Sequence, residues 1–96
     1  MTYIKNMFSY ASISSNTTLL EGYHYNCTGS ITLTLPAIAS ILGGSEIRIK
    51  NTGTGTLTIS SNGSETIDGS SSNYELDVQY SAITLVSNGV TGWEII

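Results

Sequence analysis

From residue 17 onward, apolar and polar residues take turns along the chain. Ile31, Leu33 and Leu35 are spaced by Thr32 and Thr34, Ile47 and Ile49 by Arg48, and Leu57 and Ile59 by Thr58. Tyr74, Leu76, Val78 and Tyr80 are spaced by Glu75, Asp77 and Gln79, Ile83 and Leu85 by Thr84, and Trp93 and Ile95 by Glu94. A period of two sends alternate side chains to opposite faces of an extended backbone, so these segments read as strands with one buried face. An amphipathic helix buries residues three and four apart, and no long segment keeps that spacing. An all-β fold is therefore expected.

Composition agrees and removes other classes. The 96 residues include 15 Ser and 13 Thr, and β-branched Thr on the polar face suits a strand while keeping it soluble without charge. Lys and Arg together number 3, too few for a coiled coil or helical bundle. Against 7 acidic residues they cannot make a basic face, so no nucleic-acid partner is expected. A net charge of −4 with 40% hydrophobic residues argues against a disordered tail. Cys27 is the single cysteine, which excludes an intrachain disulfide framework. The stretch from Met1 to Tyr10 lacks the continuous apolar run of a secretory signal, and no window has the length for membrane insertion.

The separators carry turn chemistry: Gly43-Gly44, Asn51-Thr52-Gly53-Thr54-Gly55, Asn62-Gly63-Ser64, Asp68-Gly69 and Asn88-Gly89. Asn-Gly and Asp-Gly between alternating runs are hairpin signals. Strands recurring at roughly 8–12 residues predict a small antiparallel sandwich, barrel or prism. Pro36 ends the strand before it, and residues 37–42 read as one helical turn or a tucked loop. Residues 1–16 hold Tyr3, Ile4, Met7, Phe8, Tyr10 and Ile13 without a clear period. They read as an N-terminal arm or linker, or as one more edge strand, ahead of a β-rich domain over 17–96.

Candidate chemistry is sparse. His24 lies in Tyr23-His24-Tyr25-Asn26-Cys27, with no second His or Cys at metal or triad spacing. Cys27 shares a strand face with Tyr23 and Tyr25 and reads as a small buried residue. Glu46, Glu75 and Asp77 fall on polar faces, and Asp68 before Gly69 reads as a turn former. No catalytic set, metal or cofactor is expected; a small hydrolase using His24 with a carboxylate is the outlying reading. Tyr74, Tyr80 and Trp93 sit in phase with the buried aliphatics, which predicts packing rather than a sugar-stacking platform. Tyr23, His24 and Tyr25 are the candidate contacts for a binding partner. A chain this short buries only about 60–65% of its unfolded surface, which favours oligomers. Leu33, Leu35, Ile47, Ile49, Leu57, Ile59, Ile67, Leu76, Val78, Leu85 and Trp93 are accordingly assigned to the subunit core or to a seam between copies.

One ordered set of motifs is recognisable. It runs from Ile31-Thr-Leu-Thr-Leu-Pro36 through Gly43-Gly-Ser-Glu-Ile-Arg-Ile-Lys-Asn51 and Gly55-Thr-Leu-Thr-Ile59 to Thr66-Ile-Asp-Gly69, Leu85-Val-Ser-Asn-Gly89 and Trp93. This resembles the β-rich head domain near the C-termini of bacteriophage tail-fibre and head-fibre proteins and of fibre-like proteins of large DNA viruses and virophages. The resemblance spans roughly residues 28–96. It implies a non-enzymatic, homotrimeric head on the virion surface, used for host attachment or capsid decoration. The implied partners are a host-surface glycan or protein, and a capsid or fibre shaft joined through residues 1–16. A monomeric carbohydrate-binding β-sandwich module is the alternative.

Overall fold

A computed structural model describes residues 8–96. The strands are β1 (Ser9–Ile13), β2 (Thr17–Thr18), β3 (Tyr23–Cys27), β4 (Ile31–Thr34), β5 (Glu46–Asn51), β6 (Leu57–Ser60), β7 (Thr66–Ile67), β8 (Tyr74–Leu76), β9 (Ala82–Ser87) and β10 (Gly92–Ile95). The fold is all-β, with one 3₁₀ turn at Ile38–Ser40. A six-stranded sheet has the order β1-β3-β5-β9-β10-β7, and a four-stranded sheet the order β2-β4-β6-β8.

Every connection from β1 to β9 crosses from one sheet to the other. As a result β1, β3 and β5 run parallel, as do β2, β4 and β6. The first six strands thus form three turns of a flattened coil, each turn laid on the one before. The C-terminal strands close it: β9 is antiparallel to β5, β8 to β6 and β10 to β9, and β7 is parallel to β10.

The expectation of an antiparallel sheet is therefore corrected to two mixed sheets. The reason is that a Gly- or Asn-rich turn reverses the chain without fixing where it lands. Asn88-Gly89 joins β9 to β10 in a true hairpin. Asp68-Gly69 makes a tight reversal closed by reciprocal backbone bonds between Ile67 and Ser70 at 2.9 and 3.0 Å. Gly43-Gly44 and Asn62-Gly63, by contrast, lie in arches that carry the chain to the facing sheet.

The two inner faces form one core. Tyr23, Ile47 and Leu85 are in register across β3, β5 and β9, and Leu57 lies between Ile31 and Leu76 in the other sheet. Leu33, Leu35, Ile47, Ile49, Leu57, Ile59, Ile67, Leu76, Leu85 and Trp93 are all buried within a single chain. Each aliphatic among them is worth roughly 1.5–3 kcal/mol of transfer free energy.

Val78 and Tyr80 differ, at 64% and 63% exposed. The alternation that runs from Tyr74 to Tyr80 stops being a strand after Leu76. There the chain must leave β8 for β9 in the other sheet. Ser81 donates its N–H and hydroxyl to the Val78 carbonyl at 3.1 and 2.6 Å, and Tyr80 takes φ 69. The turn rotates both side chains outward, so neither Val78 nor Tyr80 belongs to the subunit core.

Residues 9–13 are part of the coil, paired from Ser9↔Tyr23 to Ile13↔Cys27. They form an edge strand of the larger sheet; residues 1–7 of the expected arm lie outside the described residues.

Candidate functional site

Register across β1, β3, β5 and β9 lines up every second residue on the outer face of the larger sheet. One row holds Tyr10, His24, Arg48 and Thr84; the next holds Ser12, Asn26, Lys50 and Ala82. The Tyr10 and His24 rings stack, with centroids 5.6 Å apart and planes 24° apart. The Arg48 guanidinium lies 4.1 Å from the centroid of the Phe8 ring, a cation–π contact. Asn26 fixes the platform from the side: its amide donates to the Tyr10 hydroxyl at 2.8 Å and accepts the Thr52 hydroxyl at 2.6 Å.

Arg48 and Lys50, the two cations among the described residues, both lie on this face. Arg48 approaches Glu46 at 3.5 Å with both side chains well exposed, so the pair adds at most about 1 kcal/mol and leaves the guanidinium available. The strip therefore offers two aromatic faces, two cations and a fixed amide on a backbone paired on both sides at β3 and β5 and on one side at β1. Such a surface stacks on flat or C–H-rich groups and attracts anions.

The three candidate receptor contacts separate. His24 points outward into the strip. Tyr23 and Tyr25 turn to the opposite side and stack on each other at 5.1 Å. Tyr25 is buried, and its hydroxyl accepts the Leu20 N–H at 2.8 Å and returns a longer bond to the Leu20 carbonyl. Burial raises its pKa above the ordinary phenol value. Tyr25 is thus a core residue and is corrected as a surface contact.

Cys27 is fully buried, and desolvation pushes its thiol up to about 11. It is a protonated packing group rather than a nucleophile. Arg48 and Lys50 are near it along the sheet but on the other face. Asp68 accepts the Ile95 N–H at 3.0 Å, so its carboxylate ties a turn to a strand 27 residues away rather than to neighbouring amides. Among the described residues, no three His, Cys, Asp or Glu side chains converge to hold a metal ion.

Phe8 and Tyr10 escape a reading by periodicity because their segment alternates over only a few residues. The available signal is the match of Ser9-Tyr10-Ala11-Ser12-Ile13 to the next turn of the coil, Tyr23-His24-Tyr25-Asn26-Cys27. It becomes visible only when parallel pairing is assumed. Compared with known proteins, the chain matches no family model, and no curated protein is similar to it.

Proposed function

We propose that this chain is a non-enzymatic attachment module, the trimeric head of a virion-surface fibre. Its outer sheet face would contact a host-surface glycan or protein. The observation that carries the reading is the Tyr10–His24 stack beside Arg48 and Lys50. It is an exposed aromatic and cationic surface held in place by the sheet. Three such faces in a trimer add avidity without strong single contacts.

Self-association has a separate support. Leu42 and Val90 are 82% and 80% exposed and sit on two loops in contact through Gly43 and Gly89. Exposed large apolar side chains on adjacent loops favour contact with another copy. Light scattering on a sizing column tests this, with three times the 10.2 kDa subunit mass expected. Leu42→Asp with Val90→Asp should reduce the mass to one subunit while the thermal midpoint falls little. A single-subunit mass for the parent protein at every micromolar concentration overturns the trimer.

Attachment is tested on a glycan array and on host-cell surfaces, where Tyr10→Ala and Arg48→Ala should each abolish binding with the fold intact. A monomeric carbohydrate-binding module is the second reading. It is favoured by the burial of Leu33, Ile47, Leu57, Leu85 and Trp93 within one chain. Retained glycan binding at single-subunit mass would select it.

A further inference from the structure

A groove opens where the two sheets stop matching in width. The four-stranded sheet ends at β8, whereas the six-stranded sheet has β10 and β7 beyond β9. The inner sides of these last strands and the start of β8 enclose about 280 Å³. The floor is apolar: Ile67 is buried, and Tyr74 and Ile95 are half-buried against the core. The rim is polar and exposed, formed chiefly by Asp68, Ser70 and Asn73.

The rim is preorganised. Asp68 and Gly69 both take positive φ, 51 and 79, in the tight turn after β7. Asp68 Oδ1 is held by the Ile95 N–H at 3.0 Å, leaving Oδ2 to accept from a ligand. Ser70 Oγ accepts the Ser72 N–H at 3.1 Å, leaving its own proton to donate. The Asn73 amide and the Tyr74 hydroxyl bond no other described residue. The fixed Asp68 and Ser70 oxygens lower the ordering cost of binding.

We propose that this groove binds a single neutral pyranose ring. A pyranose has a C–H face that packs on an aromatic or aliphatic floor and an edge of hydroxyls that need both donors and acceptors. Tyr74 and Ile95 supply the first; Asp68, Ser70 and Asn73 supply the second. The volume lies just under the roughly 300–1,000 Å³ of drug-sized ligand sites, which suits one ring. Charge then sets specificity. Asp68 is the sole ionised group lining the groove, so a carboxylated or sulfated sugar would meet like charge without a cation. The groove thus has the opposite preference from the strip bearing Arg48 and Lys50. The inference goes beyond the attachment reading and does not depend on oligomeric state.

The test is amide NMR of the ¹⁵N-labelled protein, titrated with the methyl glycosides of glucose, galactose, mannose and N-acetylglucosamine, and with that of sialic acid. A ligand this small binds with Kd of order 1–10 mM. At least one neutral glycoside should shift the amides of residues 67–74 and 95 saturably. Asn73→Ala and Asp68→Asn should each weaken it about fivefold or more, with the rest of the spectrum unchanged. Asparagine at 68 keeps an oxygen for the Ile95 N–H, so the turn survives that change. Absence of saturable shifts from every neutral glycoside at about 50 mM overturns the proposal, as does binding of the sialoside alone or an unchanged affinity in Asn73→Ala. Shifts confined to β1, β3 and β5 also overturn it, while supporting the outer face as the contact surface.

Discussion

Asn51 closes β5 with its side chain turned into the core, where it is fully buried. Its amide donates to the carbonyls of Gly55 and Leu76, both at 2.9 Å, and its oxygen accepts the Gly53 N–H at 3.1 Å. It therefore ties the loop after β5 and the end of β8 to one point. Asn51→Ala leaves two carbonyls and an N–H without partners, and urea unfolding should show a loss of about 2–4 kcal/mol. Cys27, in register with Asn51, gives a different test. Its thiol should resist alkylation at pH 8 in the native protein and react at once in denaturant. Its pKa rises from 9.0 to about 11 on folding, so the native state keeps a proton that the unfolded chain releases. This contribution is present in full below pH 9 and is lost as pH climbs toward 11, by roughly 2–3 kcal/mol at the upper end. The alkaline fall in the urea midpoint should be correspondingly shallower in Cys27→Ala. The sequence showed Cys27 as a buried apolar residue, because it shares a face with tyrosines. It did not show Asn51 as a buried anchor, because an Asn opening a Thr- and Gly-rich turn looks the same in any surface loop.

At the level of elements, two glycines matter for space rather than for backbone conformation. A Cβ on Gly55 would stand 2.6 Å from the Gly29 carbonyl carbon and 2.7 Å from the Ser30 nitrogen. The arch after β5 packs directly on the turn before β4, and only a residue without a side chain allows it. A Cβ on Gly92 would overlap the Thr66 backbone across the β7–β10 pair. Gly55→Ala and Gly92→Ala should each cost about 2–4 kcal/mol by chemical denaturation, as overpacking against backbone that cannot yield. Gly92→Ala should also broaden the amide signals of β7, since that two-residue strand has no other strand partner. Periodicity located β3, β4, β5, β6, β9 and β10, because each keeps its alternation for three residues or more. It overran β8, whose alternation continues into the turn at Val78 and Tyr80. The short strands β2 and β7 offer too few residues for a period.

For the molecule as a whole, the parallel coil joins residues far apart in sequence: Ser9 pairs with Tyr23, Tyr23 with Ile47, and Leu33 with Ile59. Such non-local pairing must close long loops before it is rewarded, so folding should take milliseconds to seconds by stopped-flow fluorescence of Trp93. Native-state hydrogen exchange should be slowest in β5 and β9, which are paired on both sides, and fastest in β1 at the sheet edge. Equal protection of β1 and β5 in the monomer would contradict this architecture. Equal protection in the assembled protein would mean that the edge is covered. The amino-acid order alone determined the strand character, the faces that turn inward, and the small polar surface, because alternation and β-branching act over neighbouring residues. Only the tertiary structure decided that the strands stack parallel in two sheets, that Tyr10, His24 and Arg48 meet in one row, and that Asp68 reaches Ile95. Those outcomes depend on which sheet each turn delivers the chain to, and that choice is made by packing between segments, where local turn chemistry has no say.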